Sequence, residues 1–148
     1  LRGVAPDLLL LHSPPAAIAA EPVVGACLVD LQRQGLCRYI GVSCDDLATL
    51  QAALRWRRID AVQIPIDVWA AVRGSPLALV LAGRGISVFV RGVVSQAPER
   101  PALEAIAATV AEPGISSTIV GTLKAAHVRP LGAFTRVDHP SDREALVS

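Results

Sequence analysis

The sequence predicts an α/β fold built on a parallel sheet, and three observations carry that reading. Strand-like apolar runs alternate with helical stretches five times within 148 residues, the order expected of parallel strands joined by crossover helices. The strand-like runs are continuously apolar rather than alternating, as in sheets covered on both faces. No Gly-x-Gly-x-x-Gly follows any of them, so the Rossmann phosphate fingerprint is absent.

Each element has its own signal. Residues 7–15 (DLLLLHSPP) place four leucines between Asp7 and His12, a run expected to be a strand buried on both faces with His12 where it surfaces. Parallel α/β sheets place chemistry at the carboxyl ends of their strands, so His12 is a site candidate. The alternative is a histidine that only hydrogen-bonds its own loop. Residues 24–34 read as a helix with Val24, Leu28 and Leu31 on one stripe, stopped by Gly35. Residues 38–43 form a second strand. Asp45 or Asp46 can cap a helix running to about Arg57, which buries Leu47, Leu50 and Leu54.

Residues 59–66 give a third strand, broken by Pro65. Residues 67–84 are less regular, with a helix at 76–82. Gly85 precedes a fourth strand at 86–90. Pro101 suits the first turn of a helix that Pro113 and Gly114 end. Residues 118–120 form a fifth strand closed by Gly121, and a short helix follows at 124–127. The domain is expected over residues 1–128, with residues 129–148, which hold Pro130, Gly132 and Pro140, as a loosely structured tail.

Composition narrows the function classes. A hydrophobic content of 52% excludes disorder. No apolar stretch is long enough to span a bilayer, and no secretory signal is visible. The net charge of +1 with scattered arginines gives no footprint for nucleic acid. Cys27, Cys37 and Cys44 lack metal-ligand spacing and read as reduced thiols of a cytoplasmic protein. His127 and His139 are too scattered to form a metal site with His12, so no metal is expected. Arg55, Arg57 and Arg58 cluster at a helix end, where cations suit the dipole. The abrupt opening at Leu1, directly before a buried strand, is read as the later part of something longer.

Several segments together resemble the aldo-keto reductase family. Residues 7–15 resemble its "DLLLLH-x-P" strand. Residues 28–43 (LVDLQRQGLCRYIGVS) resemble its "aLeeLkkeGKiRyiGvS" segment, and residues 60–63 (DAVQ) its "idvvQ" strand. Residues 85–92 (GISVFVRG) are similar to its seventh-strand "GigViargpL". Residues 113–122 (PGISSTIVGT) are similar to its "pgvsstIvGt" eighth strand. The matches occur in family order and cover residues 1 to about 128.

The resemblance implies a partial (β/α)8 TIM barrel, a fold that needs about 250 residues when complete. The five strands would be the family's fourth through eighth. It also implies NADPH as cofactor and an aldehyde or ketone as small-molecule substrate. In the family, hydride leaves the nicotinamide and a tyrosine protonates the forming alcohol. A lysine and an aspartate tune that tyrosine, and a histidine orients the carbonyl. The tyrosine, lysine and aspartate belong to the family's first part. The only tyrosine here is Tyr39 and the only lysine Lys124, and neither corresponds. His12 alone carries over.

For the cofactor, Ser43 and Gln63 match the serine and glutamine that hold the nicotinamide carboxamide, and Cys44 stands where the family has asparagine. Ser43 could instead be a helix cap. Arg91 takes the place where one branch stacks a tyrosine on the ring, and a guanidinium can stack there through its flat face. The loop that folds over the pyrophosphate is cut to residues 95–100. Gly121, Thr122 and Lys124 lie where the family receives the adenosine phosphate, since amides at a helix start attract anions; Lys124 could also be merely solvated.

Two functions follow. One is a C-terminal fragment of an NADP-dependent aldo-keto reductase, inactive alone. The other is a non-catalytic dinucleotide-binding or interaction module derived from that barrel. An open five-stranded sheet would also leave unpaired edges, so self-association is expected.

Overall fold

A computed structural model describes residues 5–96 and 98–134. Five parallel strands lie side by side in chain order: β1 (Leu8–His12), β2 (Tyr39–Ser43), β3 (Ala61–Pro65), β4 (Ser87–Arg91) and β5 (Ser117–Thr118). The helices α1 (Ala16–Ala19), α2 (Pro22–Arg33), α3 (Leu47–Ala53), α4 (Ile66–Val72), α5 (Pro76–Gly83) and α6 (Ala102–Ala111) fill the crossovers. Two 3-10 segments, Ala125–His127 and Arg129–Phe134, follow β5. The second begins the stretch expected as a loose tail, and residues 135–148 of that expectation lie outside the described residues, as does the opening at residues 1–4.

Strand register divides the sheet into two faces. On one, Leu11, Val42, Val62 and Val88 align in one row, and Ile64 pairs with Val90 in the next. Val42, Val62, Ile64 and Val90 are fully buried there and join Leu50, Trp56, Val72 and Leu81 in one core. This face carries most of the hydrophobic stabilisation, at about 25 cal/mol per Å² of apolar surface removed from water.

The opposite face carries Leu10, Gly41, Ala61 and Ser87 in one row and His12, Ser43, Gln63, Phe89 and Ser117 in the next. Gly41 is glycine for a reason of space. A Cβ there would lie 2.3 Å from the Ala61 carbonyl oxygen and 2.7 Å from Leu10 Cδ2. Burial of β1 on both faces is not what is found: Leu8–Leu11 are all half-buried, because β1 is an edge strand and helices cover only one of its sides.

The sheet is tied at its amino-terminal end by polar contacts. Asp60 accepts from the Ile40 amide at 2.9 Å and from Gln32 Nε2 at 3.2 Å, and Gln32 also donates to the Arg38 carbonyl at 2.6 Å. Gly35 ends α2 with φ +74°, as expected of a helix stop. Asp46, not Asp45, caps α3 by accepting from the Thr49 amide at 2.7 Å.

Two departures concern prolines and small residues. Pro65 is the last residue of β3 and leads directly into α4. Its fixed φ suits the residue before a helix as well as a strand end, so the region expected to be irregular is helical on both sides of Gly74. The fifth strand is Ser117–Thr118 rather than residues 118–120, although the Ile119 amide still reaches the Val90 carbonyl at 2.7 Å.

Candidate active site

The sequence-predicted residues His12, Ser43 and Gln63 share one row across three adjacent strands, at the carboxyl ends of β1 and β2 and the middle of β3. His12 pairs with Ser43, and Ser43 with Gln63. The period of two that sends Val42, Val62 and Ile64 into the core sends these three to the open face. Gln63 Nε2 donates to Ser43 Oγ at 3.2 Å. Ser43 is therefore not a helix cap; that role is taken by Asp46. Backbone bonds lock the row, with the Ser13 amide on the Ser43 carbonyl at 2.9 Å and the Cys44 amide on the Gln63 carbonyl at 2.8 Å.

His12 is exposed. No side chain or loop carbonyl among the described residues hydrogen-bonds its ring, so the local-anchor alternative is not what the structure contains. Ser13 turns the chain away immediately after it at φ +43°. A non-glycine residue in that region is uncommon and strained.

Arg91 ends β4 one layer above the row, paired in register with Pro65. Its guanidinium is bonded to the Asp45 carboxylate, which reaches across from the turn after β2. Asp45 was legible only as one of two candidate caps. With two consecutive aspartates and one helix start, the second carboxylate was free for another role, and that is the signal that could have found it.

Cys44 falls outside the row. It is fully buried and belongs to the core. Burial, aided by the nearby carboxylates of Asp46 and Asp45, raises its thiol from 9.0 to about 12, against a smaller opposing pull from Arg91. Asp46 moves the other way, its carboxyl held below its ordinary value chiefly by the hydrogen bonds from Thr49.

Gly121, Thr122 and Lys124 lie beyond β5, away from the row. Thr122 Oγ1 accepts from the Lys124 amide at 3.2 Å and lies 3.3 Å from His127 Nδ1. The helix expected to start here is a three-residue 3-10 turn, so it supplies little of the aligned-amide field on which anion capture at a helix start depends. A cavity of about 370 Å³ separates the ends of β4 and β5, lined by Gly92, Ser95, Val120 and Gly121. Among the described residues, no group of three or more His, Cys, Asp or Glu side chains could hold a metal ion, and no single helix is long and apolar enough to cross a membrane.

A sequence model of the Aldo/keto reductase family matches residues 1–97. No curated protein sequence matches the chain. The fold is similar to an aldo-keto reductase from Pseudomonas aeruginosa, with 22% identity and a TM-score of 0.65 over 86% of this chain and 49% of that one. It is similar to the thermostable aldo-keto reductase Tm1743 in complex with the inhibitor epalrestat, with 21% identity and a TM-score of 0.64 over 95% of this chain and 58% of that one. It is also similar to the holo form of an aldo-keto reductase from Bacillus halodurans, with 15% identity and a TM-score of 0.60 over 92% and 57%. The chain thus spans about half the length of the solved structures it matches, which at these identities inform the fold alone.

Proposed function

The chain belongs to the aldo-keto reductase family, and from that premise we propose that it carries the carbonyl-orienting and nicotinamide-holding part of an NADPH-dependent reductase of small aldehydes or ketones. The observation that supports this most directly is the register row of His12, Ser43 and Gln63, with Gln63 bonded to Ser43. A nicotinamide carboxamide offers one carbonyl acceptor and one NH₂ donor. A hydroxyl and a primary amide side by side can satisfy both, so the residues present fit that group.

NADPH, when bound, supplies the hydride. His12, exposed at the neighbouring strand end, presents a ring N–H to the substrate oxygen. A donor aimed at developing oxyanion charge is worth about a hundred- to a thousandfold in rate. Arg91 borders the same face with its guanidinium steadied by Asp45. Lys124 offers its ammonium to a phosphate group. Cys44, being buried, contributes packing rather than an amide contact.

In this reading the proton comes from the tyrosine of the family's first part, not from a described residue of this chain. A general acid must lie within hydrogen-bond reach of the atom it protonates. Tyr39 sits at the opposite end of β2 from Ser43, with the Arg38 guanidinium 5.7 Å from its ring centroid. It is the only tyrosine in the sequence. The chain therefore binds cofactor without turnover when alone. The same tyrosine count favours a second reading, a dinucleotide-binding or interaction module with no turnover in any assembly.

Titration of the purified chain with NADPH, followed by nicotinamide fluorescence, tests the reading. Saturable binding that weakens in Ser43→Ala and Gln63→Ala is expected, with no aldehyde-dependent NADPH oxidation. Turnover by this chain alone, abolished in His12→Ala, would overturn it. Supplying the family's first three βα units separates the two readings: turnover then appears only if the chain is part of an enzyme.

A further inference from the structure

The arginine cluster noted in the sequence has no role in the row of His12, Ser43 and Gln63, and the structure gives it a shape. Arg33 from α2 and Arg55, Arg57 and Arg58 from the turn after α3 line one cleft of about 370 Å³. It lies on the helix-covered side of the sheet and shares no residue with that row. Its floor is apolar. Gly25 lets α2 approach so closely that a Cβ there would sit 2.7 Å from Trp56 Cγ, and Val29 extends the floor along the helix.

The simple structural explanation for these arginines is the negative end of α3. That end is already served from elsewhere: Arg84 donates to the Leu54 carbonyl at 2.6 Å and to the Trp56 carbonyl at 2.9 Å. Arg33 pairs with the exposed Asp30 and Arg58 with the half-buried Asp60, each at 3.5 Å; an exposed pair such as the first contributes little. The Arg55 and Arg57 side chains make no ion pair or hydrogen bond among the described residues. Planar guanidinium groups match carboxylates two bonds at a time.

We propose that this cleft docks an acidic, amphipathic segment of a partner protein. Its carboxylates pair with Arg33, Arg55 and Arg57, and an apolar side chain rests against Val29 and Trp56. Recognition of acidic motifs by arginine clusters is a recurring mode. A nucleic acid fits less well. The apolar floor offers a phosphate backbone nothing, and the chain carries a net charge of only +1.

The test is fluorescence anisotropy of a short fluorescein-labelled peptide alternating glutamate with leucine, titrated with the full chain. Saturable binding is expected, weakened roughly tenfold or more in the double variant Arg55→Glu/Arg57→Glu and also weakened by added salt. Val29→Ser should weaken it severalfold. Arg100→Glu, a charge reversal outside the cleft, should leave it unchanged. Far-UV circular dichroism verifies that each variant folds. Equal loss in Arg100→Glu, equal binding of a peptide with glutamine for glutamate, or no effect of the cleft variants would overturn the proposal. So would displacement of the peptide by an equimolar single-stranded oligonucleotide.

Discussion

Val62 and Gln63 are neighbours in β3, yet they belong to different parts of the molecule. Val62 is fully buried beneath the helices. Gln63 is half-buried on the open face and bonds to Ser43. The same contrast repeats at Val90 and Arg91, while Val42 and Ser43 face opposite sides of the sheet although both are buried. One strand thus supplies stability with alternate residues and chemistry with the others. Either set can in principle be changed without the other, and this separability is open to test.

The largest expected effect is on the helix-covered face. Ile64→Ala should cost about 2–5 kcal/mol of stability, read by denaturant unfolding, because the residue is fully buried in the core. A loss under about 1 kcal/mol would mean that this face is not the chief source of stability. Next is a substitution that breaks the contrast from the open side. Gly41→Ala drives a methyl into the Ala61 carbonyl and Leu10 and should cost about 1–3 kcal/mol, since the close approach is between backbones that cannot yield cheaply.

A smaller effect is expected at the α3 cap. Asp46→Ala should cost about 1 kcal/mol. The Asp46 carboxyl titrates below its ordinary 3.8 when folded. The stability it adds is thus complete above that value and is lost as pH falls through the folded value, a loss that the alanine variant should not show in acid unfolding. Smallest is Gln63→Leu. It removes one half-buried hydrogen bond and should shift stability by less than about 1 kcal/mol, while weakening NADPH binding severalfold in the fluorescence titration. A large destabilisation with unchanged binding would reverse the assignment of the two faces.

The helix-covered face was the more legible in the sequence. Continuous apolar runs and the spacing of Leu47, Leu50 and Leu54 report burial directly, and strands β1 to β4 fall close to where those patterns put them. On the open face His12 was legible as the polar end of an apolar run, whereas Ser43 and Gln63 were legible only through family resemblance, since a lone polar residue in a strand has no periodicity to mark it. α4 escaped because Pro65 reads as a stop, although its backbone also suits the residue before a helix. The Asp45–Arg91 pair escaped because its partners are 46 positions apart, a separation that no local pattern records. The leucine run of β1 misled in the other direction: composition cannot tell a central strand from an edge strand.

Cys44 shows what enclosure does to a reactive atom. The thiolate is the nucleophilic form, so a thiol that ionises only near about 12 is chemically silent at neutral pH. Alkylating agents and peroxide should instead find Cys27, which is exposed on α2. Strong alkali is the exception. Once unfolded, the group ionises near 9.0, so the native state gains from keeping the proton below that pH and forfeits the gain as pH climbs toward about 12. Within ordinary conditions, a residue beside the chemistry-bearing end of the sheet is left untouched by oxidants, and the helix on the far side takes the damage first.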